Sequence, residues 1–87
     1  MTTRIPAIVP PPGEYILDEL IARGWTQADL ARIMGRPAVA VSRIVSGKRP
    51  VTLETAKSLA AAFGTTPELW MNLEAAFQNW KARHRKA

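Results

Sequence analysis

The sequence predicts an all-α domain built from five short helices. Three observations carry that expectation. Apolar residues recur at helical spacing in one segment after another. Glycines stand directly behind four of those segments, at Gly24, Gly35, Gly47 and Gly64. Thr26, Thr52 and Thr66 stand where three of the helices would begin. The intervals between segments are too short to build a sheet, and 87 residues suffice for one small domain with a single core.

The first twelve residues, MTTRIPAIVPPP, have no helical period and read as an extended Pro-rich arm, residues 1–12. The folded domain is then expected over residues 13–80. In GEYILDELIARG, Leu17, Leu20 and Ile21 recur at helical spacing and Gly24 ends the helix. TQADLARIMG opens on Thr26 with Asp29 three residues later, a capping-box-like start, and Leu30, Ala31 and Met34 share its inner face. TLETAKSLAAAFG takes Thr52 as its cap and places Ala56, Leu59, Ala60 and Phe63 on one stripe. TPELWMNLEAAFQNWKARH begins with Thr66, has Pro67 in its first turn, and is apolar over a wide arc through Leu69, Trp70, Leu73, Ala76, Phe77 and Trp80.

GRPAVAVSRIVSGKRP is less regular, because its alternating Ala and Val suggest a strand. The adjacent pair Ile44-Val45 breaks that alternation. Read as a helix over 37–46, it tolerates Pro37 in its first turn, where no intrahelical N–H bond is lost. At about 100° per residue, Val41, Ile44 and Val45 fall on one face and Val39, Arg43 and Ser46 on the other. Gly47 closes it. Two short helices joined by a tight turn at Gly35, with small Ala31 at their crossing, have the spacing of a helix-turn-helix, whose second helix enters the DNA major groove.

Charge supports this reading. The net charge is +5, and it is segregated. Between residues 32 and 57, Arg32, Arg36, Arg43, Lys48, Arg49 and Lys57 face one acid, Glu54. A second basic group, Lys81, Arg83, Arg85 and Lys86, forms the segment 81–87, expected to be a disordered tail with weak attraction for DNA. A concentrated basic block points to a polyanionic partner, here double-stranded DNA. Arg43 is placed to pair with guanine or hold a phosphate, and Ala38, Val39, Ser42 and Ser46 to touch base edges. Arg36, Lys48 and Arg49 are candidate phosphate clamps, which add affinity and salt sensitivity but no sequence information. Thr26 and Gln27 open a helix whose outward N–H groups favour phosphate.

Other chemistry is poorly provided for. There is no Cys and one His, His84, so no catalytic residue, metal site or cofactor site is expected, and the chain is not expected to be an enzyme. No apolar run is long enough to cross a membrane, and the first residues lack the signal-peptide pattern, so a cytoplasmic protein is expected. The last helix has more apolar surface than so small a core uses. Trp70 and Leu73 are assigned to the core, and Met71, Phe77 and Trp80 to a two-fold homodimer interface, which suits a palindromic operator.

The run WTQADLARIMG…VSRIVSGKRPVTLETAKSLAAAFGTTPELWMNLEAAFQNW resembles HigA-type antitoxins, the antidotes of toxin–antitoxin modules within the phage-repressor-like helix-turn-helix superfamily. The resemblance spans about Pro12 to Trp80, and its most specific part is SGKRPVTLETAKSLAAAFGTTPELWMNL. It implies a five-helix, lambda-repressor-like DNA-binding domain and a dimeric repressor of its own operon. It also implies a cognate toxin partner, an mRNA-cleaving ribonuclease of RelE-like fold, and a backbone contact to DNA at Gln27. Family members commonly open the recognition helix with Ser or Thr followed by Arg or Gln, where this chain has Pro37, Ala38 and Val39. Against a basic toxin, the acids Glu14, Asp18 and Glu19 of the first helix form a candidate docking surface, and the Pro-rich arm is a second. The alternative functions are a stand-alone or phage-type regulator without a toxin, and a helical interaction module that no longer binds DNA.

Overall fold

A computed structural model describes residues 9–84. It contains five helices: α1 (Pro12–Arg23), α2 (Gln27–Met34), α3 (Ala38–Val45), α4 (Leu53–Phe63) and α5 (Pro67–Arg83). Residues 1–8 of the expected Pro-rich arm lie outside the described residues, as do residues 85–87 of the basic tail. Lys81 and Arg83 belong to α5 instead of a disordered tail, and their charges sit in its last turn, where the carbonyl end favours cations.

Local chemistry sets the helix ends. Thr26 accepts the Asp29 amide at 3.0 Å, and the Asp29 carboxylate accepts the Thr26 amide at 2.9 Å, a complete capping box. Thr52 and Thr66 cap α4 and α5 through the Thr55 and Leu69 amides. Gly35 ends α2 at φ 69°, a left-handed conformation that side chains resist, and so supplies the turn into α3. The one shift is at Pro37. It lies outside α3 as its N-cap, with ψ 146°, and not within the first turn; its carbonyl still accepts the Ala40 amide at 3.0 Å.

The core joins all five helices: Ile16 and Leu20 from α1, Leu30 and Ala31 from α2, Val41 and Ile44 from α3, Ala56, Leu59, Ala60 and Phe63 from α4, and Trp70 from α5, with Val51 from the loop before α4. Burying each larger side chain of this kind is worth about 1.5–3 kcal/mol. Trp70 also satisfies its polar edge, donating Nε1–H to Thr65 Oγ1 at 2.8 Å. Helix α3 lies against α1 and α2, α2 against α4, and α4 against α5.

The inner face of α1 differs from the expected one. Ile21 is 78 % exposed, and Ile16 is buried in its place, with Leu17 only leaning on the core. The cause is the approach of α1 to α3. Gly13, in the first turn, lies so close to Val45 that a Cβ there would sit 2.0 Å from the Val45 carbonyl oxygen. That crossing fixes the rotation of α1 and turns the Gly13–Ile16–Leu20 stripe inward.

At the opposite end of α1, Arg23 donates to the Phe63 carbonyl at 2.8 Å, capping the C-terminus of α4. Its guanidinium lies 4.9 Å from the Phe63 ring centre and 5.5 Å from that of Trp25. The same Arg23 pairs with Glu19, so one of the three acids assigned to a docking surface already has a cation partner.

Candidate nucleic-acid interface

Helices α2 and α3 and the turn at Gly35 form the expected helix-turn-helix. Val41 and Ile44 bury one side of α3 in the core, with Val45 partly buried beside them. This leaves Ala38, Val39, Ser42, Arg43 and Ser46 exposed on the outer side, with Val39 57 % exposed. An exposed β-branched side chain on a short helix gains nothing from burial, so its outward placement suits contact with a thymine methyl group.

The exit of α3 is folded back onto the helix. The Arg43 carbonyl accepts the Lys48 amide at 2.9 Å, the Arg49 amide at 3.1 Å and the Ser46 hydroxyl at 3.2 Å. One carbonyl therefore ties the backbones of three cationic residues to a single turn, with Gly47 at φ 83° making the bend possible. Arg43, Lys48 and Arg49 are all exposed, while Arg36 is half-buried and its amide is held by the Ala31 carbonyl at 2.9 Å.

The start of α2 is more constrained than the sequence implied. Gln27 and Ala28 keep first-turn N–H groups with no acceptor inside the helix, as a phosphate contact requires. Thr26 is committed to its capping role. Asp29 sits there as an anion; the Thr26 amide first, then Arg32 at 2.6 Å, hold its carboxyl below the ordinary aspartate range. Arg32 thereby offsets an acid that would repel phosphate from this end.

The candidate dimer residues divide. Met71 packs against the core, as does Leu73. Phe77 and Trp80 lie further along α5 as a half-buried pair with ring centres 6.3 Å apart, extended by His84 at 4.8 Å from Trp80. Lys81 Nζ lies 5.3 Å from the Phe77 ring centre. On α1, Glu14 and Asp18 are exposed, and Glu19 faces Arg23.

Two residues that matter here were not singled out from the sequence. Gly13 sets the seat of α3, and its signal was a glycine in the first turn of a helix with no turn to make. Glu74 is buried, and its Oε1 accepts the Val51 amide at 3.0 Å. Its signal was an acid four residues after Trp70, on the face of α5 that faces inward.

The helix-turn-helix family matches residues 16–70. Antitoxin HigA-1 of Vibrio cholerae is 38% identical over 74 residues, covering 84% of this chain and 70% of that protein. The chain belongs to the HigA-type antitoxin family. An addiction module antidote protein of the HigA family from Coxiella burnetii has a similar solved structure, with a TM-score of 0.79 and 37% identity, covering 90% of this chain and 84% of that one. Pseudomonas aeruginosa antitoxin HigA, solved with the higBA promoter, superposes with a TM-score of 0.82 at 32% identity, over 86% of this chain and 83% of that one. These HigA structures share the all-α helix-turn-helix fold described above. Among the described residues, no helix is long and apolar enough to cross a membrane.

Proposed function

We propose that this HigA-type protein binds operator DNA as a homodimer, represses its own toxin–antitoxin operon, and neutralises a cognate mRNA-cleaving toxin. The observation that carries the DNA reading is the outer face of α3: it bears no acid, and its exit turn gathers Arg43, Lys48 and Arg49 on one carbonyl. The promoter complex of the similar Pseudomonas aeruginosa antitoxin supports the same partner. In this reading α3 lies in the major groove, Arg43 reaches a guanine or phosphate, and Ala38, Val39, Ser42 and Ser46 meet base edges. Arg36, Lys48, Arg49 and the Gln27 end of α2 hold the phosphate backbone.

Phe77 and Trp80, with Met71 at the margin, are the proposed two-fold contact. Glu14 and Asp18 are the proposed toxin-facing acids, with Glu19 contributing less because Arg23 offsets it. The likeness to HigA proteins supports the toxin role, and co-purification with the product of the neighbouring gene tests it. Capture of that product as a stable complex is expected. A chain that binds its promoter but ignores the neighbour would be a stand-alone regulator.

For DNA, the test is a gel shift on the chain's own promoter. Arg43→Ala with Lys48→Ala is expected to weaken binding at least tenfold, about 1.4 kcal/mol. Binding is also expected to fall steeply between about 50 and 200 mM salt. Unchanged affinity of the double variant would remove this face from the interface.

A further inference from the structure

The segment between α3 and α4 carries Lys48 and Arg49, and it is held at both ends. Its near end is tied to α3, because the Arg43 carbonyl accepts both of their amides. Its far end is tied to α5. Val51 is buried, so its N–H is withdrawn from water and must be paired, and the acceptor is Glu74 Oε1 at 3.0 Å. The other carboxylate oxygen, Oε2, accepts Gln78 Nε2–H. Pro50, between the two ties, further limits the backbone. Beside this segment lies a cleft of about 180 Å³, with Lys48, Arg49, Glu74 and Lys81 among its lining residues.

We infer that Glu74 is a positioning residue for DNA binding: its carboxylate on α5 anchors the Lys48–Arg49 segment, so that the presentation of both cations to phosphate depends on α5. The inference rests on the reading of Lys48 and Arg49 as phosphate contacts. The physical basis is entropic. A cation on a free loop loses backbone freedom when it binds, whereas an anchored loop has lost it on folding. A carboxylate suits this anchor because its two oxygens accept from both the loop and Gln78 without a donor of its own to satisfy. Phe77, Gln78 and Lys81 share the cleft with the loop, so the outer stripe of α5 and the basic exit are physically continuous.

The test is promoter binding by the full chain, followed by fluorescence anisotropy across a salt series, together with thermal melts. Glu74→Ala is expected to raise the Kd about tenfold. It should also lower the salt slope of the proposed dimer by up to about 3.6, since Lys48 and Arg49 of the two protomers would make four phosphate contacts and each contributes about 0.9. Glu74→Gln is expected to retain wild-type binding, because its amide oxygen still accepts from Val51 and Gln78 can turn its carbonyl toward the new amide group. In the Glu74→Ala background, Lys48→Ala with Arg49→Ala should cost less than about twofold more, because the two changes remove the same contacts.

Glu74→Ala that lowers the melting temperature but leaves Kd and salt slope unchanged overturns the inference. So does an additive loss from the Lys48 and Arg49 changes. If those two changes leave wild-type binding intact, it is the phosphate reading that fails. Should Glu74→Ala not fold, amide exchange on the wild-type chain decides. A Val51 amide protected to the level of the core supports the anchor, and exchange at the rate of an open loop refutes it.

Discussion

Replacing Gly13 by Ala tests the architecture that seats the recognition helix. The added Cβ would lie 2.0 Å from the Val45 oxygen, 2.7 Å from its carbonyl carbon and 3.0 Å from its Cα. All three are backbone atoms of α3, so no side-chain rotation relieves the contact. An ordinary carbon–oxygen contact is about 3.3 Å, so α1 and α3 must separate by about 1.3 Å along that line. Overpacking of this kind costs about 1–3 kcal/mol, more when backbone must move. Alanine recovers up to about 1 kcal/mol of helix propensity. The net expectation is a loss of about 1–2 kcal/mol, which lowers Tm by about 4–16 °C in a domain of this size. A thermal melt followed by far-UV circular dichroism measures it, with Ala22→Gly as the control. Ala22 is exposed in the same helix, so its change costs only propensity, about 1 kcal/mol. If Gly13→Ala melts at or above the wild type, the close approach of α1 to α3 is not what holds this helix in place.

Thr26→Ala breaks the capping box of α2 and should cost about 1 kcal/mol in urea unfolding. Asp29 has its carboxyl held below the ordinary value of 3.8. Its contribution to stability is therefore present above that value and lost as the pH falls through the lower folded one. Asp29→Asn should flatten that acid limb of the stability profile, and an unchanged limb would show that other carboxylates cause it. Phe77→Ala with Trp80→Ala should convert the proposed dimer to monomer in analytical ultracentrifugation at micromolar concentration. A variant that sediments as the wild type does would place the two-fold contact elsewhere.

The ends of the helices and the helix-turn-helix were legible in the sequence because they depend on neighbours a few residues away. A threonine that caps an amide three residues on, or a glycine that turns left-handed, acts within one turn of chain. The same locality let Val41 and Ile44 be separated from Val39 and Arg43, since a helix with one buried face has only one opposite face. Pro37 marks the limit of that precision, because a proline is compatible with both the cap and the first turn, and only the backbone angle chooses between them.

What the sequence determined by itself was therefore the list of elements, their order and the outward basic face of α3. The tertiary structure decided how the elements rotate against one another. In α1, Ile21 and Ile16 both fit a helical stripe with a leucine, and only the contact of Gly13 with Val45 turns Ile16 inward. In α5, the apolar arc is too wide to divide by periodicity, so Met71 joins the core margin and Phe77 and Trp80 do not. Glu74 acquires its role only because burial of Val51, twenty-three residues away, leaves an amide that needs an acceptor. Local rules act through chain neighbours, whereas burial is decided by whichever surface arrives from a distant part of the chain.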